Sequence, residues 1–236
     1  MQESRFLCLA VSRRDGGKCI AGIDLDSSRW IRPVDVNSHG AISNGIAIAS
    51  EGSNQIRWLE SLDIVCLPLG NHVGTTIQPE NWELLPTTNR QAYEALRRFD
   101  LRHDMEILTG HLEGHGPLLH SYGDSISAPA LGARKLDHSL SLIEPDDLYW
   151  KVEPKQKYPT ELQIRADFSF DDDRYNISVT DSVWETRCIR AGKGGHRNAE
   201  IADAARPRIL LVVSLGAKPL NGQHYKFVAG VLALPA

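Results

Sequence analysis

Residues 18–25, Lys-Cys-Ile-Ala-Gly-Ile-Asp-Leu, and residues 226–234, Lys-Phe-Val-Ala-Gly-Val-Leu-Ala-Leu, carry one signature, Lys-x-x-Ala-Gly followed by an apolar residue. Each follows an apolar run ending in serine, Leu9-Ala10-Val11-Ser12 or Leu211-Val212-Val213-Ser214, and a polar turn. Strand, hairpin turn and returning strand is the simplest reading of both. One copy lies near the start of the chain and the other at its end. They are therefore expected to mark a duplication, with the two hairpins at equivalent places in two barrels. Gly22 and Gly230 fall inside the returning strands, where glycine marks a bend or a close backbone approach. Lys18 and Lys226 open those strands and read as solvent-facing, either protecting an edge or lining a groove.

Working outward, short extended segments recur. Residues 5–11 and 18–25 form the first hairpin, and Trp30-Ile31-Arg32-Pro33-Val34 is a third strand. Residues 61–69 and 82–85 are also extended. The period changes at residues 89–108, where Ala92, Leu96 and Phe99 stand at helical spacing and Glu94 precedes Arg98 by four. Residues 110–138 are rich in Gly, His, Ser and Pro and read as a connection. Strands resume at 139–143, 161–170 and 175–179, with Asp171-Asp172-Asp173 as a turn, and the chain closes with 208–215 and 225–234. The expected fold is mostly β: two OB-like β-barrels with a helical connecting segment. The expected division is a barrel over 1–88, a connection over 89–138 and a barrel over 139–236.

Composition sets the outer bounds. With 42% hydrophobic and 24% charged residues, each half can bury a core. The net charge of -4 argues against a general polyanion binder but leaves room for a local basic groove. No apolar run reaches the length of a signal-peptide core or a membrane span, so a cytoplasmic chain with no membrane contact is expected. Cys8, Cys19, Cys66 and Cys188 form no CxxC pair and read as buried reduced thiols.

The succession Lys-x-x-Ala-Gly-Ile, Trp-Ile-Arg-Pro-Val, Tyr-x-Ile-x-Val-Thr-Asp at 175–181 and Tyr-Lys-Phe-Val-Ala-Gly-Val at 225–231 resembles the prokaryotic dual OB-containing domain family. The resemblance spans nearly the whole chain and is weakest over 86–138. It implies two OB-like barrels and nucleic-acid binding in defence or repair systems. It carries no catalytic residue set.

The strongest functional candidate is residues 186–199, which hold Arg187, Arg190, Lys193 and Arg197, three glycines, one histidine and no acid. Read as a mobile loop, it would offer amides and cations to phosphate oxygens. It lacks the Gly-Lys-Ser/Thr ending of a Walker A loop. Trp30 and Arg32 flank Ile31 and share one strand face, the arrangement that stacks a base and neutralises a phosphate, although a packed Trp covered by an Arg is equally ordinary. Lys18 and Lys226 complete the candidate contacts. Asp181 reads as a cap or an acceptor of backbone amides. His111, His115 and His120 sit among helix-breaking glycines, so no metal site is expected. Arg90, Arg97, Arg98 and Arg102 read as a solvated helix face.

No cofactor is expected. The expected function is a non-enzymatic module that binds single-stranded DNA or RNA beside a helicase, nuclease or other effector. The rivals are a protein-assembly subunit, and a nuclease or nucleotide-processing enzyme.

Overall fold

A computed structural model describes residues 2–14, 16–50, 55–87, 92–202 and 207–235. The chain divides into two compact units, residues 1–110 with 136–138 and residues 111–135 with 139–236. The segment 89–138, expected as a connection, is shared between them.

The first unit contains β1 (Gln2–Arg14), β2 (Gly17–Asp24), β3 (Arg29–Val34), β4 (Ala47–Ser50), β5 (Arg57–Trp58), β6 (Asp63–His72), β7 (Asn81–Leu84), β8 (Tyr93–Arg98) and the helix α1 (Leu101–Thr109). Strands β1-β2-β3-β7-β6 are hydrogen-bonded in that order, and β6 returns to β1 to close a five-stranded barrel. Closure depends on β1 pairing twice, through residues 6–14 with β2 and residues 2–7 with β6. The β3–β7 pair is parallel. Phe6, Cys8, Ile20, Ile31, Val65 and Leu67 are among the residues that fill the interior.

Residues 93–98 correct the expectation of a helix from residue 89. They form β8, hydrogen-bonded to β6 on one side and β4 on the other, and the helix starts only at Leu101. Tertiary pairing overrides local propensity here. Arg98 does not meet Glu94 one helical turn away. It reaches Asp63 at 2.8 Å, while Arg97 pairs with Asp104. Two residues of the expected basic helix face, Arg97 and Arg98, become ion pairs that pin β8, and Arg102 is exposed in the first turn of α1. Asn89 and Arg90 lie outside the described residues.

The second unit contains β9 (Leu112–Glu113), β10 (Ser125–Ser127), α2 (Ala128–Gly132), β11 (Leu140–Ile143), β12 (Asp146–Pro154), β13 (Leu162–Phe170), β14 (Asp173–Val179), α3 (Ser182–Ala191), β15 (Gly194–Arg197), α4 (Asn198–Ile201), β16 (Arg208–Leu215) and β17 (Gln223–Leu234). The sheet runs β15-β12-β13-β14-β17-β16-β11-β9, with β14 and β17 parallel. Its middle strands repeat the succession of the first unit: one, two, three, five, four, with three and five parallel. This sheet is a curled half-barrel. Asp171 and Asp172 link β13 to β14 with φ of 50° and 66°, both left-handed as a two-residue type I′ hairpin turn requires.

The two Lys-x-x-Ala-Gly hairpins share local geometry and not position. Ser12 stands opposite Cys19 and Ser214 opposite Phe227; Val11 stands opposite Ile20 and Val213 opposite Val228. Both ladders slip at the Ala-Gly step, with Leu9 the extra residue on β1 and Ala229 the extra residue on β17. Yet β1–β2 takes the first and second places of its strand order, whereas β16–β17 takes the fourth and fifth. The expectation of equivalent places is overturned. The common sequence encodes a common way to bend a hairpin with a bulge.

Candidate nucleic-acid interface

Residues 186–199 are a helix end and an edge strand, which corrects the reading of a mobile loop. Asp181 starts α3: its Oδ1 accepts from the amides of Val183 at 2.9 Å and Trp184 at 3.0 Å. Its Oδ2 accepts from the amide of Val231 at 2.9 Å, tying the helix to β17. Trp184 then packs on Trp150 with ring centroids 5.0 Å apart. These contacts hold α3 on the Trp150 side of the sheet, against β12 and β13. The helix ends at Gly192, whose φ of 96° turns the chain into β15. There Arg197 stands opposite Tyr149, His196 opposite Trp150 and Gly195 opposite Lys151. His196 faces inward and donates from Nε2 to the Gly192 carbonyl at 2.9 Å.

The four cations of this segment are thus distributed around one sheet edge. Arg187 is half-buried, with its guanidinium 5.7 Å from the centroid of the Trp184 ring. Arg190 is exposed near the end of α3, and Lys193 is exposed just before β15. Arg197 projects from the opposite face beside Tyr149. Among the described residues, Arg190, Lys193 and Arg197 form no ion pair.

The Tyr149 face extends across the sheet. Directly paired residues share a face, so Tyr149 lies in a row with Asp167 and Asn176, and Lys151 in a row with Arg165 and Ser178. Arg174 and Ser169 continue the same face, as do Glu153 and Gln163 at its other end. With Arg197, the face carries four cations, matched by four carboxylates: Asp167 and Glu153 in these rows, Asp146 opposite Ser169, and Asp124 reaching Arg165. Asp167 is ion-paired with both Lys151 and Arg174. Burial pushes its carboxyl upward, but Lys151, Asn176 and Arg174 outweigh that and hold it below the ordinary range. Arg165 bonds Asn176, donates to Ser178 Oγ at 3.1 Å and pairs with Asp124 at 3.2 Å.

The remaining candidates lie elsewhere. Trp30 is buried, and both Arg32 and Lys226 are 1% exposed. Arg32 donates from Nε and Nη2 to Glu80 Oε1 at 3.1 and 2.9 Å. A groove-lining Arg32 and a solvent-facing Lys226 are both corrected: each is consumed by buried partners. Lys18 is half-buried, with its backbone paired to Ile42. Among the described residues, no group of three His, Cys, Asp or Glu side chains is placed to hold a metal ion. The four cysteines are free. No helix is long and apolar enough to cross a membrane among the described residues.

Lys226 has a measurable consequence. Its Nζ donates to the carbonyls of Ser121 at 2.5 Å and Gly123 at 3.0 Å and sits 5.3 Å from the centroid of the Tyr175 ring. Burial lowers its pKa from 10.5 to about 8, against a smaller opposing pull from Asp124. Both folded and unfolded chains are protonated here at pH 7. As pH climbs through about 8, the folded chain releases a proton that the unfolded chain keeps to about 10.5. Stability attributable to this group therefore rises across that window, by about 1–3 kcal/mol. Unfolding titrations of the parent and Lys226→Met between pH 7 and 10.5 should show that rise only in the parent. Parallel profiles would show that the lysine keeps its solution pKa.

Tyr149, Lys151, Arg165 and Arg174 were not singled out by sequence reasoning. The signal was present in Leu148-Tyr149-Trp150-Lys151-Val152, whose strict alternation is that of a half-buried strand. In the structure Leu148, Trp150 and Val152 are buried, while Tyr149 and Lys151 are exposed.

No curated protein and no solved structure matches the chain. A family model, the dual OB-containing domain, matches residues 4–231. Its span covers both strand successions, and with one closed barrel and one curled half-barrel behind it, the chain belongs to the dual OB-containing domain family.

Proposed function

We propose that the second unit is a non-enzymatic module that binds a single strand of DNA or RNA. The observation that carries this reading is the exposed set Arg190, Lys193 and Arg197 around the β15 edge of the sheet, forming no ion pair among the described residues. The whole chain has a net charge of -4, so these three cations are a local concentration of positive charge. The outer face of β13 and β14, the second and third strands of the succession, is the surface with which OB folds hold oligonucleotides. In the first unit the corresponding strands offer less: all of β3 except Arg29 is buried. Phosphates would lie along β15 and the end of α3, with counterion release supplying much of the affinity. The module would bring a separate helicase, nuclease or other effector to the strand, in defence or repair.

The test is binding to single-stranded DNA, single-stranded RNA and duplex across a salt series. Replacing Arg190, Lys193 and Arg197 together by Ala should weaken single-strand binding. It should also flatten the log–log salt slope by roughly 0.7 per lost contact, about 2 in all. The fold should survive, because the three side chains are outside the core. A folded triple variant with parent affinity and slope would refute the assignment, as would a parent chain that binds none of the three nucleic acids.

A protein-assembly role is the second reading. It rests on Ile56 and Trp58 in the first unit, which are 49% and 57% exposed. Self-association or partner capture abolished by Trp58→Ser, with nucleic-acid binding absent throughout, would favour it.

A further inference from the structure

We infer that Tyr149 is the base-stacking platform that makes the second unit select single strands over duplex; this rests on the binding reading above. Tyr149 is 39% exposed on β12, although its neighbours Leu148 and Trp150 are 6% and 0% exposed. Its backbone is therefore held by packing beneath and by pairing on both sides, to Arg197 on β15 and Asp167 on β13. The ring itself makes no hydrogen bond or ring contact among the described residues. An aromatic ring presented to solvent from a strand paired on both sides is a surface that any base can stack on.

Three features make the surroundings suit a nucleic-acid strand. Arg197 stands directly opposite Tyr149, at the separation of cross-strand neighbours, so a cation lies one nucleotide's reach from the ring. The carboxylate on the other side, Asp167, is neutralised by Lys151 and Arg174 and does not repel a phosphate. The edge strand begins with Gly194 and Gly195, where an added Cβ would meet nothing within 4 Å. A strand crossing that bare edge can leave its phosphate on Arg197 and lay its base on Tyr149. In a duplex the base faces are already stacked, so the ring has nothing to receive. The charges serve both forms of nucleic acid, and the tyrosine distinguishes them.

The experiment compares the parent with Tyr149→Phe, Tyr149→Ala and Arg197→Ala, each checked for folding by circular dichroism. The probes are an oligothymidine, the same strand carrying one 2-aminopurine, and a duplex. Tyr149→Ala should lose roughly 10- to 100-fold in single-strand affinity. Its salt slope and duplex binding should match the parent, because no charge has been removed. Tyr149→Phe should bind like the parent. The 2-aminopurine quench on binding should persist in Tyr149→Phe and vanish in Tyr149→Ala. Arg197→Ala should weaken binding to both forms and flatten the slope. Parent-like single-strand affinity in Tyr149→Ala overturns this assignment alone and leaves the binding reading standing. Equal losses on single strand and duplex also overturn it. A parent chain that binds no nucleic acid overturns both.

Discussion

Arg32→Met should destabilise the first unit by about 3–5 kcal/mol, the range for breaking a buried ion pair from one side. The side chains of Arg32 and Glu80 are 2% and 1% exposed. The guanidinium gives two hydrogen bonds to Glu80 Oε1, and its Nη1 lies 2.8 Å from Cys19 Sγ. Burial opposes the charge on Arg32, but Cys19 and Glu80 outweigh it and hold the guanidinium protonated above its ordinary range. The pair also bridges the parallel β3–β7 junction, where the Arg32 amide donates to the Glu80 carbonyl at 2.9 Å. Methionine removes the cation and leaves Glu80 buried, so the variant must protonate the carboxyl, admit water or separate the strands. Arg32→Met with Glu80→Leu removes both charges and should recover most of the loss, since apolar replacements of a whole buried pair are often neutral or better. Denaturant unfolding of the parent and the three variants measures the cycle. A loss under about 1 kcal/mol in Arg32→Met would show that the pair is hydrated.

This residue also shows where sequence reading stops. Trp30 and Arg32 do share a strand face, as alternation requires, and one arginine among strand residues is compatible with a ligand groove or with a buried pair. The deciding partner is Glu80, 48 residues away, and no local pattern in the sequence identifies it. The same limit explains β8, whose residues carry helical spacing and become a strand because β4 and β6 offer hydrogen bonds on either side. Features with local causes were legible. The Asp171-Asp172 turn, the capping role of Asp181 and the extended run at β7 follow from neighbouring residues alone. The candidate interface falls between these cases. Its cations stand out as a run without acids, but the glycines in that run have the composition of a loop, and the helix shows only in Trp184 and Cys188, one helical turn apart and both buried. Once the helix is recognised, β15 becomes an edge strand and Tyr149 acquires its neighbour Arg197.

Gly22→Ala should destabilise the first unit by at least about 3 kcal/mol, the upper end of overpacking costs. A Cβ at this position would lie 1.9 Å from the Leu7 carbonyl oxygen and 2.9 Å from both the Leu7 carbonyl carbon and Phe6 Cζ. The nearest obstacle is backbone, so no rotamer change relieves it. The contact arises at the bulge, where β1 places Leu9 between the residues paired to Gly22 and Ala21 and bends across the returning strand. That bend lets one strand serve β2 along most of its length and β6 near its start, which is how the barrel closes. Alanine therefore forces a choice between straightening β1, which opens the β1–β6 seam, and displacing β2 from the core. Gly132→Ala supplies the control. It lies at the end of α2, an added Cβ meets nothing within 4 Å, and the substitution should be neutral or stabilise by roughly 0.4–1 kcal/mol. Hydrogen exchange distinguishes the two routes to instability: a seam that opens first exposes the amides of residues 2–7 and 64–69 before those of 17–21. Stability within about 1 kcal/mol of the parent in Gly22→Ala would mean that β1 and β2 separate at this step with little cost, and that the bulge does not close the barrel.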